Sequence, residues 1–332
     1  MDHYVEPFAG SLAVLLRRPH PCNRAYYSET VNDADGLLCN AWRSMQLSPD
    51  AMADAASWPV CEADMHARHL ALLRWREERQ LEHLMADPAW HDPVMAGWWA
   101  WGQSCWIGAG WCSGSGPWVV GEDGRIERRR GAGGVSRRLP HVSDNGQGVN
   151  HAGTREPGVG DAEYHLMTMP ELRRWFAFLS ARLRHVRILN GDWSRAVTSG
   201  VLQSLSVRKG GIAGAFIDPP YSDAAGRDAN LYAVDCLDVA HRVREWCAEN
   251  GANPRYRIVL AGFEGEHEDL VTAGWRPVEW FRGGFLKGGM ALQGARNEDG
   301  DAPTQQGRER LWLSPGCLGA DPRQRDMFGA RP

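Results

Sequence analysis

No apolar run in this chain is long enough to cross a bilayer. The longest, Val94 to Trp101, falls far short of the about 20 residues that a membrane helix needs. Met1-Asp2-His3 opens without the basic and then apolar stretch of an exported protein, so the chain is expected in the cytoplasm. Cys-x-x-Cys pairs are missing too, although there are 8 cysteines, which argues against a four-thiolate zinc site and against a disulfide framework. The best metal grouping left is Cys61 with His66 and His69, which could share a helix face; such spacings are far more often surface and core positions, and no metal is expected. Lysine is nearly absent, with Lys209 and Lys287 the only two, so arginine carries the positive charge. A GC-rich genome would produce that bias as readily as phosphate recognition would, and the net charge of −4 does not by itself advertise a nucleic-acid binder.

What is present organises around Ile217-Asp218-Pro219-Pro220-Tyr221. The apolar run Ile212 to Ile217 is short, branched and closed by prolines, the pattern of a buried strand. Two consecutive prolines fix φ and remove two backbone donors, so Asp218 and the Pro219 carbonyl project as acceptors from a stiff loop, with the Tyr221 ring beside them. Two acceptors and an aromatic face suit the exocyclic amine of a planar base taken out of its stack.

At the other end, His3 to Ser11 reads as a strand, a small-residue turn and a helix from Leu12 to Arg17 capped by Ser11. Small residues let a ligand approach the backbone, and a helix start offers unpaired N–H groups. A second strand, Ala25 to Val31, runs into Asn32-Asp33, and a helix follows from Asp35 to Met45. An acid at that exit can accept from ribose hydroxyls; Asp33 is the best match, and Glu29 stays open as the alternative. A later strand, Val186 to Leu189, leads to Asn190-Gly191-Asp192-Trp193, another acid at a strand end, after a helix expected to open at a capping box on Thr168 and Glu171.

Between these parts the pattern changes. Pro49 to Ala86 reads as helices, and the segment after it is dense in tryptophan, 10 of the 16 lying before residue 120. Most of these should be core. A hairpin is expected over Val119 to Glu127, followed by a cluster holding Arg128, Arg129, Arg130, Arg137 and Arg138 and then a glycine-rich polar stretch with Asn145, Gln147 and Asn150.

Asp-Pro-Pro-Tyr at a strand end resembles the catalytic motif of the amino-methyltransferases. With Glu6-Pro7-Phe8-Ala9-Gly10-Ser11 ahead of it, the chain resembles, in motif order, the Dam-like DNA adenine-N6 methyltransferases of phage or bacterial type. The resemblance implies an α/β fold, a doubly wound Rossmann-like methyltransferase sheet over residues 1–47 and 165–315. It also implies a mainly helical target-recognition domain inserted over 48–164, with a loose tail at 316–332. It implies S-adenosylmethionine as cofactor, held by Glu6 to Ser11, by Asp33 at the ribose, and by Asp192 at the adenine amine with Trp193 beside the ring. Asp218, Pro219, Pro220 and Tyr221 would be catalytic, and double-stranded DNA would be gripped through the arginine cluster, with Asn145, Gln147 and Asn150 as candidate base readers.

Three other readings remain. Cytosine-N4 methylation uses a similar loop, more often with Ser in place of Asp; a glutamine methyltransferase would more typically carry Asn; and a relative without catalysis, or one needing a partner, would still bind DNA. The family also usually carries a Gly-Gly-Lys segment ahead of the cofactor motif, whereas Glu6 here follows Met1 almost at once and Gly283-Gly284-Phe285-Leu286-Lys287 lacks the spacing. The expectation is weak cofactor binding by the chain alone, relieved by an upstream extension or a partner that completes the pocket.

Overall fold

The computed structural model describes residues 1–18, 27–78, 80–87, 89–105, 111–112, 118–120, 126–128, 161–203, 205–220, 239–279 and 309–318. In chain order the elements are β1 (His3–Glu6), α1 (Ala13–Arg17), β2 (Ser28–Asp33), α2 (Gly36–Leu47), α3 (Pro49–Ala56), α4 (Glu62–Glu77), α5 (Gln80–Ala86), α6 (Pro93–Cys105), β3 (Trp118–Val120), β4 (Ile126–Arg128) and α7 (Asp161–Leu183). They continue with β5 (Val186–Asn190), α8 (Ser199–Leu202), α9 (Leu205–Arg208), β6 (Ala213–Ile217), α10 (Val239–Asn250), β7 (Tyr256–Phe263), α11 (Asp269–Thr272), β8 (Arg276–Glu279) and β9 (Glu309–Leu313).

Seven strands form one sheet in the order β5-β2-β1-β6-β7-β9-β8. The first five in that row are parallel, and β9 runs antiparallel to both its neighbours. The chain starts in the middle, steps outward through β2 to β5, then crosses back to β6 on the other side of β1. Such a reversal leaves a crevice at the carboxyl ends of β1 and β6, where open α/β sheets bind ligands.

Period-two alternation sends Tyr4 and Val5 into different cores. On one face Tyr4 and Val31 pack with Leu15, Trp42, Met45, Met52, Ala100, Phe176 and Leu183. On the other, Val5 and Ile217 pack with Trp193, Val243, Cys247, Ile258 and Trp312. The result is a mixed α/β molecule with a mostly parallel sheet flanked by helices, compatible with a Rossmann-like fold. Helices α3 and α6, from the segment that follows residue 48, share the first of these cores. A third cluster gathers Met65, Leu72, Trp75, Trp101 and Trp111 around α4 and α6, so a good part of the tryptophan-dense segment is interior. Arg68 is buried there with its guanidinium 4.3 Å from the centre of the Trp101 ring, a cation on an aromatic face. No described helix is long and apolar enough to cross a membrane.

Two helix starts differ from the expected ones. Ser11 does not cap α1: the residue before the helix is Leu12, at φ 56, and no side chain caps it. Gly10 at φ 46 and Leu12 are both left-handed, so the chain turns one residue longer before the helix begins and leaves Ser11 outside it. Complete burial of the Leu12 side chain opposes the cost of that conformation. Helix α7 starts at Asp161 rather than at a capping box on Thr168, and Pro170 lies inside it. The first turn of residues 315–318, at the start of the tail expected to be loose, packs on β7, with the Cys317 thiol 3.4 Å from the Ile258 carbonyl.

Candidate active site at the carboxyl edge of the sheet

Strand register aligns four exits. Asp33 pairs with Asn190 across β2 and β5, and Glu6 pairs with Val31 across β1 and β2, so two residues further on Phe8 stands level with Asp33. Val5 pairs with Ala215 on β6, and three residues further on Phe8 stands level with Asp218. Residues near positions 8, 33, 190 and 218 therefore form one row along the edge.

Two buried or half-buried asparagines tie three of these exits together. The Asn32 side-chain amide donates to the Pro7 carbonyl and to the Gly191 carbonyl, both at 3.0 Å, and the Ala9 N–H donates to the Asn32 carbonyl at 2.8 Å. Asn190 donates to the Asp33 carbonyl at 3.0 Å, and Gly191 N–H to the same oxygen at 2.9 Å. Gly191 stands at φ 140, a backbone conformation that L side chains rarely adopt, so the position favours glycine.

Asp33 lies at the centre of this clamp. Its carboxylate accepts from Gly10 N–H at 3.0 Å and from Asp35 N–H at 2.9 Å, one bond per oxygen. Each oxygen keeps a further lone pair for a ligand hydroxyl. Burial pushes its pKa up to about 6 against the lowering effect of those backbone donors. Glu29, the alternative acid, sits inside β2 under the sheet, almost fully buried in a bidentate ion pair with Arg182 at 2.6 and 2.9 Å, and accepts from the Tyr27 hydroxyl. It is structural, and the exit position belongs to Asp33.

The Gly10 turn is pinned from α2 by the Trp42 indole N–H, 3.1 Å from the Gly10 carbonyl. Among the described residues nothing lies within 4 Å of the place a Gly10 Cβ would occupy, which leaves that backbone approachable from them. An apolar cavity of about 250 Å3, walled by Leu38, Trp42, Met45, Met52 and Trp99, opens against Gly10 and Ser11.

Asp192 is exposed and caps a 3-10 turn, Trp193–Val197, by accepting from the Ser194 N–H and hydroxyl. Desolvation would push its carboxyl up, but the Ser194 bonds and the Arg242 guanidinium, 3.3 Å away on α10, outweigh it and hold the carboxyl below its ordinary range. Trp193 points inward, 5% exposed, stacked on Phe8 with ring centres 6.0 Å apart and edge-on to Trp246. Its place is under the loop rather than on the surface, so it supports Phe8 and Asp192 from below.

Asp218 follows β6 into solvent, while Pro219 is buried behind it. Glu6, by contrast, is a buried carboxyl at the end of β1 that accepts from the Tyr4 hydroxyl at 2.6 Å. Desolvation raises its pKa to about 7; the Tyr4 bond and the Arg18 charge oppose this, and repulsion from Asp218 adds to it.

The structure thus brings together Glu6 to Ser11, Asp33, Asp192, Trp193, Asp218, Pro219 and Pro220. Arg128 ends β4 in a separate two-stranded hairpin. Tyr221, Arg129, Arg130, Arg137, Arg138, Asn145, Gln147 and Asn150 lie outside the described residues. Among those that are described, no group of three or more His, Cys, Asp or Glu could hold a metal ion. Cys61 is exposed before α4, whereas His66 and His69 face the interior. Sequence reasoning missed Asn32, Asn190, Tyr4 and Arg242; the signal available for the first two was an asparagine next to, or two residues before, an acid at two strand exits. No family model matches this chain, and no curated protein matches it.

Proposed function

We propose that the chain is an S-adenosylmethionine-dependent DNA methyltransferase acting on the N6 amine of adenine flipped out of the duplex. The observation that carries this reading is the convergence, at the chain-reversal point of the sheet, of the Gly10 turn, two separate acids and the Asp218-Pro219-Pro220 loop. In a fold of this kind that crevice is where a nucleotide-like ligand and its reaction partner meet.

The donor set fits the cofactor. Asp33 keeps free acceptor sites for a ribose, the open Gly10 backbone admits a close ligand, and Asp192 is an exposed acceptor for an adenine amine in exchange for its long contact to Arg242. When bound, S-adenosylmethionine supplies an electrophilic methyl group. The chain's own residues then do the rest. Asp218 and the Pro219 carbonyl accept hydrogen bonds from the amine and aim its lone pair, while Tyr221 stacks on the base. Exocyclic amines are weak nucleophiles because their lone pair is delocalised, so orientation and hydrogen bonding supply much of the rate. In this reading the segment 48–164 carries target recognition, with Arg128, Arg129, Arg130, Arg137 and Arg138 contacting phosphate and groove.

Purified protein incubated with S-adenosylmethionine and duplex DNA, followed by digestion to nucleosides and mass spectrometry, tests the reading. N6-methyladenine is expected. N4-methylcytosine alone would move the substrate to cytosine, and no methylated nucleoside would contradict the proposal.

A further inference from the structure

We infer that Glu6 is a second carboxyl of the reacting site, coupled to Asp218, and that it holds the proton the amine gives up on methylation. The inference rests on the methyltransferase reading above and deepens it.

Register places the two acids together. Glu6 stands beside Phe216 on β6, one residue past the Val5–Ala215 pair, and Phe216 packs into the same core as Tyr4. Alternation therefore sends Tyr4, Glu6 and Phe216 to one face, and carried one step past the strand it sends Asp218 there too. The repulsion by which Asp218 adds to the rise of the Glu6 carboxyl agrees with that placement. Glu6 is only 2% exposed, whereas Asp218 opens to solvent. Among the described residues, the charged and titratable groups that act on Glu6 are Tyr4 on its own strand, Arg18 after α1, and Asp218. Arg18 lies over the Tyr4 ring at 3.6 Å, and next along the same face Tyr27 and Arg182 are engaged with Glu29 at 2.7 and 2.6 Å.

Two neighbouring carboxylates do not ionise independently, and burial makes Glu6 hold a proton more tightly than an ordinary carboxyl does. In the transfer, the amine nitrogen forms a bond to the methyl carbon, the carbon–sulfur bond breaks, and its electron pair stays on sulfur. The nitrogen then carries a surplus proton, which passes to the Asp218 carboxylate it is bonded to. With DNA covering Asp218, transfer of the proton to Glu6, the buried carboxyl behind it, restores Asp218 as an acceptor. After product leaves, the proton returns to solvent through Asp218.

Two measurements test this. In single turnovers with labelled S-adenosylmethionine and random-sequence duplex DNA, the wild-type rate should rise with pH through about 7. Glu6→Gln, which keeps the shape and still accepts from Tyr4, should move that limb down by at least about one pH unit and slow transfer at pH 8 by about tenfold. Tyr4→Phe, which removes a donor to the ionised Glu6, should move the limb up. Carboxyl NMR of the free protein should show Glu6 titrating near neutrality, and at lower pH in Asp218→Asn. A Glu6→Gln protein with normal cofactor affinity and an unchanged rate profile would overturn the inference, as would a Glu6 titration indifferent to Asp218→Asn. Coupled titration in a wild type that transfers no methyl group would support the pair and instead contradict the proposed function.

Discussion

The two halves of the candidate site are held by different means. Around Asp33 the exits of β1, β2 and β5 are joined by side-chain amides and backbone hydrogen bonds that cross between distant parts of the chain, Asn32 reaching Pro7 in one direction and Gly191 in the other. At β6 the exit is stiffened by Pro219 and Pro220, with an exposed carboxylate in front and a buried one, Glu6, behind. The first half is held by hydrogen bonds within the chain itself. In the second, the backbone is stiffened by prolines while the acid in front of it is exposed. The difference suits a site in which one ligand is bound tightly and another is positioned for reaction.

Substitutions should separate the halves. The largest effect is expected from Asp218→Ala, a loss of about 4 kcal/mol of transition-state stabilisation in single-turnover methyl transfer, because in the proposed reaction the group acts on the substrate amine. Next comes Glu6→Gln, read as stability. A carboxyl raised from its ordinary 4.5 to about 7 binds its proton more tightly in the folded state. Its contribution therefore falls as pH rises from about 4.5 to about 7, and above that window it is a cost of about 3 kcal/mol. Denaturant unfolding at pH 8 should show the variant more stable by up to that amount, with little difference at pH 4. Asp33→Asn should weaken S-adenosylmethionine binding by about 2 kcal/mol, since the amide loses half of the acceptor capacity and the charge. Replacing Arg128, Arg129 and Arg130 together by Ala should have the smallest effect per residue. It should appear as a shallower salt dependence of DNA binding, by up to about 0.9 in slope for each phosphate no longer neutralised.

The parts of the site that could be read from the sequence are those whose residues act through the backbone. Gly10 and the Pro219-Pro220 pair announce a close approach and a stiff loop wherever they stand, and an apolar run before each announces a strand. Asp33 could be separated from Glu29 only by knowing where β2 ends: the strand runs on to Asp33, past the expected end at Val31, so Glu29 lies within it. Asn32 stands next to an acid at a strand exit, but its role could not be read from that, because the carbonyls it meets are 25 and 159 residues away and are brought to it by the order of the strands. The left-handed Leu12 was hidden for the same reason, since its side chain is stabilised by a core that forms only with α2 and α7 in place. Helix α7 runs through Pro170 because the lost backbone bond is offset by Leu172, Phe176 and Leu179, which are fully buried on one side of it.

Calorimetric titration of S-adenosylmethionine into the wild type, Asp33→Asn and Asp218→Ala tests the division most directly. Binding by the wild type, weakened about thirtyfold in Asp33→Asn and kept within a few-fold in Asp218→Ala, is the result predicted. Loss of binding in Asp218→Ala in parallel with Asp33→Asn, or no binding by any of the three, would contradict it.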